Sequence, residues 1–211
     1  LANVAQRCLL DTSDIPTIND HVDDAWDFAR LNKALTSYHG GWFETSGCGY
    51  HPDIAAVDLA SAYPYVMYHL PDISNGTWIE GDREEEFWEW IDVRKPMSLG
   101  FAEASIVFKP NNWFPLVEKS SRGTLLAPRH VRGWFTADEL AEARKWPHSE
   151  IIIGEWFYYH DPEPTYPFRD FIDRFYEIKM NAADDPVAYK VAKVMLNSLY
   201  GKTIQAVDGK T

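Results

Sequence analysis

Asp58 closes the apolar run Ile54-Ala55-Ala56-Val57, and Tyr63-Pro64 follows five residues later. A carboxylate at the end of a buried strand faces the sheet edge rather than the core. Mg²⁺ takes oxygen ligands in octahedral geometry and keeps substrate phosphates among them. Asp58, beside the backbone carbonyl of Leu59, suits that chemistry. Pro64 restricts the backbone around Tyr63 and so helps to set the direction of the ring. The plainer reading stands beside it: an Asp that ends a strand and caps the next turn, with Tyr63 as ordinary core.

A second group lies near the other end of the chain. At about 100° per residue, Lys190, Lys193, Asn197 and Tyr200 fall within an arc of about 80° on a helix over 186–200. Val191, Ala192, Met195, Leu196 and Leu199 take the opposite side. Lysines on one rigid face act as point charges on a triphosphate, and an amide and a phenol reach a sugar or a base. The alternative is an amphipathic helix with a solvated lysine face. Asp185 as N-cap and Pro186 at the first position start this helix, and Gly201 ends it.

The elements that must position these groups follow from periodicity and turn chemistry. Residues 18–35 read as an amphipathic helix, with Val22, Trp26, Phe28 and Leu31 as core contacts. The glycine-broken turn Tyr38-His39-Gly40-Gly41 comes next, and 53–59 read as a buried strand. From 75 to 153 turns alternate with strand-like runs, notably 98–108 and 149–159. Helices are expected at 136–146, where Thr136 and Glu139 form a capping box, and at 168–180. The expected fold is α+β.

Composition sets the outer bounds. With 45% apolar and 15% aromatic residues among 211, a sizeable core is expected. No apolar run approaches the roughly 18 residues that cross a bilayer. Cys8 and Cys48 form neither a metal-ligand pattern nor a disulfide scaffold, so a reducing compartment is the default. The net charge of -12 argues against nucleic acid when taken alone. The acid is uneven, however. Asp82, Glu84, Glu85, Glu86, Glu89 and Asp92 crowd one segment, whereas Lys190, Lys193, Lys202 and Lys210 face only Asp208 from Val187 onward. Local fields outweigh the total.

Together the two groups resemble family B DNA polymerases, in particular the protein-primed members of phage phi-29 type. DLASAYP at 58–64 is similar to motif A, Asp-x-x-Ser-Leu-Tyr-Pro, with Ala62 in place of the usual Leu. KVMLNSLYG at 193–201 is similar to motif B, Lys-x-x-x-Asn-Ser-x-Tyr-Gly, and the gap of roughly 130 residues fits. YHGG at 38–41 resembles the Tyr-x-Gly-Gly that joins exonuclease and polymerase modules. FRDFIDRFYEIK at 168–179 resembles the segment leading into the fingers.

The resemblance implies a DNA-directed DNA polymerase acting on a DNA template-primer and dNTPs by a two-metal mechanism with Mg²⁺. Asp58 would bind both ions and Leu59 would offer its carbonyl. Tyr63 would pack under the incoming sugar. Lys193 would hold the triphosphate, helped by Lys179, and Asn197, Tyr200 and Gly201 would line the nascent base pair. Ser61, Tyr38, Gly40 and Gly41 would contact template or primer. Lys119 and Arg122 would touch DNA or a terminal protein primer; solvated loop charges are the plainer reading. The implied division is a connection over 1–50, a palm strand over 51–70, an insertion resembling terminal-protein region 1 over 71–165, two-helix fingers over 166–204 and the start of a continuation over 205–211. The implied setting is a soluble protein, with no membrane, in the cytoplasm of an infected or plasmid-bearing cell.

Motif C, Tyr-x-Asp-Thr-Asp-Ser, has no counterpart, so the second metal-binding carboxylate is missing from these 211 residues. The chain also opens on Leu1. A central slice of a polymerase is therefore expected, inactive by itself. The alternatives are a catalytically inactive relic that holds nucleotide or DNA, and an unrelated α+β interaction domain.

Overall fold

The computed structural model describes residues 5, 7–9, 25–39, 48–50, 52–95, 97–109, 116, 118–119, 125–126, 128–146 and 149–200. The chain divides into two compact units. One comprises Leu1–His21, Ile54–Asn75 and Pro162–Thr211; the other comprises Val22–Asp53 and Gly76–Asp161. As expected, helices combine with antiparallel sheet.

The second unit is built on four antiparallel strands in the order β1-β6-β2-β5. These are β1 (Thr77–Gly81), β2 (Gly100–Phe108), β5 (His130–Thr136) and β6 (Ser149–His160). A separate two-stranded ribbon pairs β3 (Glu118–Lys119) with β4 (Leu125–Leu126). Alternation writes the sheet: Ala102, Ala104, Ile106 and Phe108 of β2 are buried while their neighbours are less so. They pack with Val131, Phe135, Ile153 and Trp156 against Phe87, Ala137, Leu140 and Ala143 from two helices. A bulge between Ala102 and Ala104 shifts the β2–β6 register. Gly81 accommodates the Trp156 ring so closely that a Cβ there would collide with it.

The capping box forms as expected. Thr136 Oγ1 accepts the Glu139 backbone N–H at 3.3 Å, and the Glu139 carboxylate accepts the Thr136 backbone N–H at 2.8 Å. The other helix in this layer, Glu84–Val93, lies where the sequence reading placed turns and strands. Its run of acids resembles a solvated loop, but Phe87, Trp90 and Ile91 recur at helical spacing. Phe87 is fully buried, and Trp90 and Ile91 pack against the same core.

Helix α1 (Ala25–Thr36) overlaps the expected 18–35 segment and runs one residue past it; residues 18–24, with Val22, and the Trp26 side chain lie outside what is described. Phe28 is 56% exposed rather than core. The helix is oriented instead by its cations: Arg30 sits over Trp78 at 5.9 Å and Lys33 over Trp134 at 4.9 Å, with Lys33 also paired to Glu155 at 2.7 Å. Phe28 is turned about 140° from Lys33 around the helix.

Among the described residues the first unit holds α2 (Ala62–Tyr68), α5 (Arg169–Asn181) and α6 (Pro186–Ser198), with residues 5 and 7–9 also helical, while α3 (Glu84–Val93) and α4 (Ala137–Lys145) belong to the second unit. Met67, Phe171, Ile172, Phe175, Ala192, Met195, Leu196 and Leu199 form its core. Asp185 caps α6 by accepting the N–H groups of Val187 and Ala188, each at 3.0 Å. Val191, expected on the buried side, is 49% exposed, because it flanks the apolar stripe rather than centring it. Arg169 ties α5 to the end of α2: its guanidinium lies over Tyr166 at 3.6 Å and Tyr68 at 4.9 Å, and its Nε donates to the Tyr68 carbonyl.

Candidate nucleotide and metal site

Asp58 and Leu59 do not sit on a buried strand. Residues 54–59 carry no strand hydrogen bonds, and Ile54, Val57 and Leu59 are 73%, 91% and 79% exposed. An apolar run becomes a buried strand only with a ladder partner and a covering layer, and no described strand pairs with this one. The segment leads instead into α2, whose first turn contains Pro64, where a missing N–H leaves no helical bond unmade.

Ser61 marks the junction. It adopts the left-handed conformation, φ 57° and ψ 37°, rare for a residue with a side chain. Its hydroxyl does not cap α2 but accepts a hydrogen bond from Lys179 Nζ of α5 at 3.0 Å. Two residues on, the Tyr63 ring stacks on Tyr200 with centroids 3.9 Å apart and planes 2° from parallel. So the residues around Ser61 and Tyr63 touch both α5 and the end of α6, although more than a hundred positions separate them in sequence. Neither contact was visible in motif spacing. Each depends on where α2 packs.

On α6, Lys190, Lys193 and Asn197 are exposed, as the helical arc predicts. They line an open concavity of about 650 Å³ with Pro186, Tyr189, Val194 and Ser198. Tyr189 was not singled out from sequence, though one helical turn separates it from Lys193. Lys179 is not part of this lining. Tyr38 is 46% exposed and lies in the second unit. Gly40, Gly41, Gly201, Arg122 and the side chain of Lys119 fall outside the described residues.

His39, beside Tyr38, approaches Glu139 at 3.7 Å and stacks on Phe135. Burial pushes the Glu139 carboxyl up, but contacts with His39 and with the Thr136 amide and hydroxyl outweigh it and hold it below the usual carboxylate range.

Among the described residues no three metal-ligating side chains gather. One carboxylate and a carbonyl are nonetheless oxygen donors of the kind Mg²⁺ takes, because that ion leaves most of its positions to water and phosphate. The donors fit part of such a site, not all of it.

The arrangement is a carboxylate segment running into an aromatic turn that touches α5 and the end of α6. A family model for DNA polymerase type B, organellar and viral, matches residues 34–211, and the chain belongs to that family. A probable DNA polymerase of Ascobolus immersus is 29% identical over 179 residues, which cover 82% of this chain and 13% of the relative. Another from Neurospora intermedia is 28% identical over 190 residues, covering 81% and 18%. Phi29 DNA polymerase complexed with primer-template DNA and incoming nucleotide superposes with a TM-score of 0.45 at 23% identity, covering 69% of this chain and 25% of that one. The same polymerase with single-stranded DNA gives 0.44 at 21%. The chain thus spans a small part of the curated relatives it matches. Among the described residues no helix is long and apolar enough to cross a membrane.

Proposed function

We propose that this chain is the part of a DNA-directed DNA polymerase that grips the incoming dNTP and holds one carboxylate of a two-metal Mg²⁺ site. The meeting of the Ser61–Tyr63 turn with Lys179 and Tyr200 carries the reading. It supports the idea that the Asp58 segment and the lysine-bearing helix serve one substrate.

Asp58 and the Leu59 carbonyl would hold the metal, which when bound supplies charge neutralisation on the triphosphate and activation of the primer hydroxyl. The other protein carboxylate comes from elsewhere in the polymerase, since the sequence has no Asp-x-Asp. Lys193, with Lys190 one helical turn before Val194, sets positive charge along the concavity against phosphate oxygens. Asn197 and Tyr200 continue that line toward sugar and base. Tyr63, stacked on Tyr200, forms the wall under the sugar and excludes a 2′-hydroxyl by bulk. Ser61 and Tyr38, with Gly40, Gly41 and Gly201, are assigned to the template-primer. The insertion over 71–165 would meet DNA or a protein primer through the segment with Lys119 and Arg122.

The test is dNTP binding to the whole polymerase. Lys193→Ala weakens Mg²⁺-dependent binding about tenfold or more, the worth of one charge-assisted contact. Binding that survives the substitution unchanged overturns the phosphate assignment.

A further inference from the structure

We propose that Arg169 is a positioning residue: it locks the end of α2 to the start of α5 and so fixes the Asp58–Tyr63 segment relative to the helix pair that carries Lys190 and Lys193. The inference deepens the reading above and rests on it. In sequence 101 positions separate Arg169 from Tyr68, the last residue of α2.

The contact starts from the open end of α2. A helix leaves its last carbonyls without partners inside it. The Val66 carbonyl accepts the His69 N–H and the Met67 carbonyl the Leu70 N–H, each at 3.1 Å. The Tyr65 carbonyl lies 2.9 Å from Nδ1 of His69. The Tyr68 carbonyl takes its hydrogen bond from Arg169 Nε at 3.3 Å. The same guanidinium lies 3.6 Å from the Tyr166 ring centroid and 4.9 Å from that of Tyr68. Its plane and its N–H direction are both engaged, which sets an orientation as well as a distance. Two further bonds close the joint. The Asp72 N–H donates to the Thr165 carbonyl at 2.9 Å, and the Tyr68 hydroxyl to Asp173 at 3.5 Å.

Stability of α5 does not account for the residue. Arg169 is the first residue of that helix, where a cation opposes the helix dipole. At the C-terminal end of α2 the same charge is favourable. α2 begins shortly after Asp58 and contains Tyr63, while α5 and α6 pack together in one core. A joint at Arg169 therefore sets the direction of the carboxylate segment against the lysines of α6, with no substrate contact of its own.

The experiment is single-nucleotide extension by the whole polymerase, read as kcat and dNTP KM well below the unfolding midpoint. Arg169→Ala lowers kcat about tenfold with dNTP KM changed less than about twofold, as expected where the reacting groups are misaligned but the nucleotide is still gripped. Arg169→Lys keeps a cation and a donor for the Tyr68 carbonyl and restores most of the lost turnover. Tyr166→Leu removes the nearer ring, and in that background Arg169→Ala costs less than about threefold.

Turnover at the parent level in folded Arg169→Ala makes the joint a matter of stability alone and overturns the inference. A rise in dNTP KM at unchanged kcat makes Arg169 a substrate ligand and also overturns it, as does an equal kcat loss in the two backgrounds. Should Arg169→Ala fail to fold by thermal unfolding, Arg169→Gln, which keeps a stem and a donor without the charge, carries the same readings. Asp58→Ala in parallel separates the failures. If it leaves extension intact, the polymerase reading falls and this inference with it. If it abolishes extension while Arg169→Ala turns over like the parent, only this inference fails.

Discussion

Tyr63 carries the narrowest chemical claim. Its ring is half exposed and stacked face to face on Tyr200, and under the proposed function it would present bulk to the incoming sugar. Removing bulk opens a space where a hydroxyl fits. Tyr63→Ala therefore raises the kcat/KM for ribonucleotides relative to deoxyribonucleotides by about 10- to 100-fold in the whole polymerase, the range that shape-based discrimination supplies. Unchanged rejection of ribonucleotides counts against the gate. A second residue makes a claim on pH. Glu139 is held below its ordinary carboxyl range, so its folded pKa is depressed relative to the unfolded chain. Its contribution is present above the ordinary carboxylate range and is lost as pH falls through that range toward the lower folded value. Acid unfolding of the sheet unit thus shifts to lower sensitivity in Glu139→Gln, seen as a flatter dependence of the unfolding midpoint between neutral and acid pH. An unaltered slope contradicts the pairing. That Lys193 and Asn197 share an exposed face of α6 was legible, because helical spacing depends on local chain alone. The hydrogen bond between Lys179 and Ser61 was not legible, because 118 positions separate the two residues.

Helices were read best where their ends carry their own chemistry. Thr136 with Glu139, and Asp185 with Pro186, satisfy orphan N–H groups locally, so sequence suffices to place them. Thr136→Ala removes one such bond and lowers the stability of the sheet unit by about 1 kcal/mol, measurable as a lower denaturant midpoint. No change would mean that the box is redundant. Strands were read well where β-branched and aromatic residues concentrate, as in β2 and β6. The run 54–59 failed because apolar character states only that a surface prefers burial, not that a partner strand is at hand. The helix over 84–93 failed for the opposite reason: its acids masked the spacing of Phe87, Trp90 and Ile91. Packing between elements supplies a further prediction. A methyl at Gly81 meets the Trp156 ring, so Gly81→Ala costs about 1–3 kcal/mol by overpacking. A midpoint within error of the parent would show that the ring can yield.

Over the whole chain, the charge of -12 is less contrary to a nucleotide site than it looks. Much of the acid lies on α3 and its surroundings in the sheet unit, where Glu86 pairs with Arg83 at 2.7 Å, Asp92 with Arg144 at 2.9 Å, and Asp138 with Arg94. The lysines of α6 lie in the other unit, on their own concavity. Net charge sums over both and so says little about either. Family membership was legible from two short motifs, because the chemistry they serve tolerates few alternatives. The division of the chain into its two units was not, since residues 22–53 join the sheet unit through cation–aromatic contacts that no periodicity announces. The central claim is that Asp58 holds the metal for the nucleotide that Lys193 grips. Single-nucleotide extension by the whole polymerase carrying Asp58→Ala, followed across a Mg²⁺ titration, tests it most directly. The account predicts no extension at any Mg²⁺ concentration, and extension at the parent rate contradicts it.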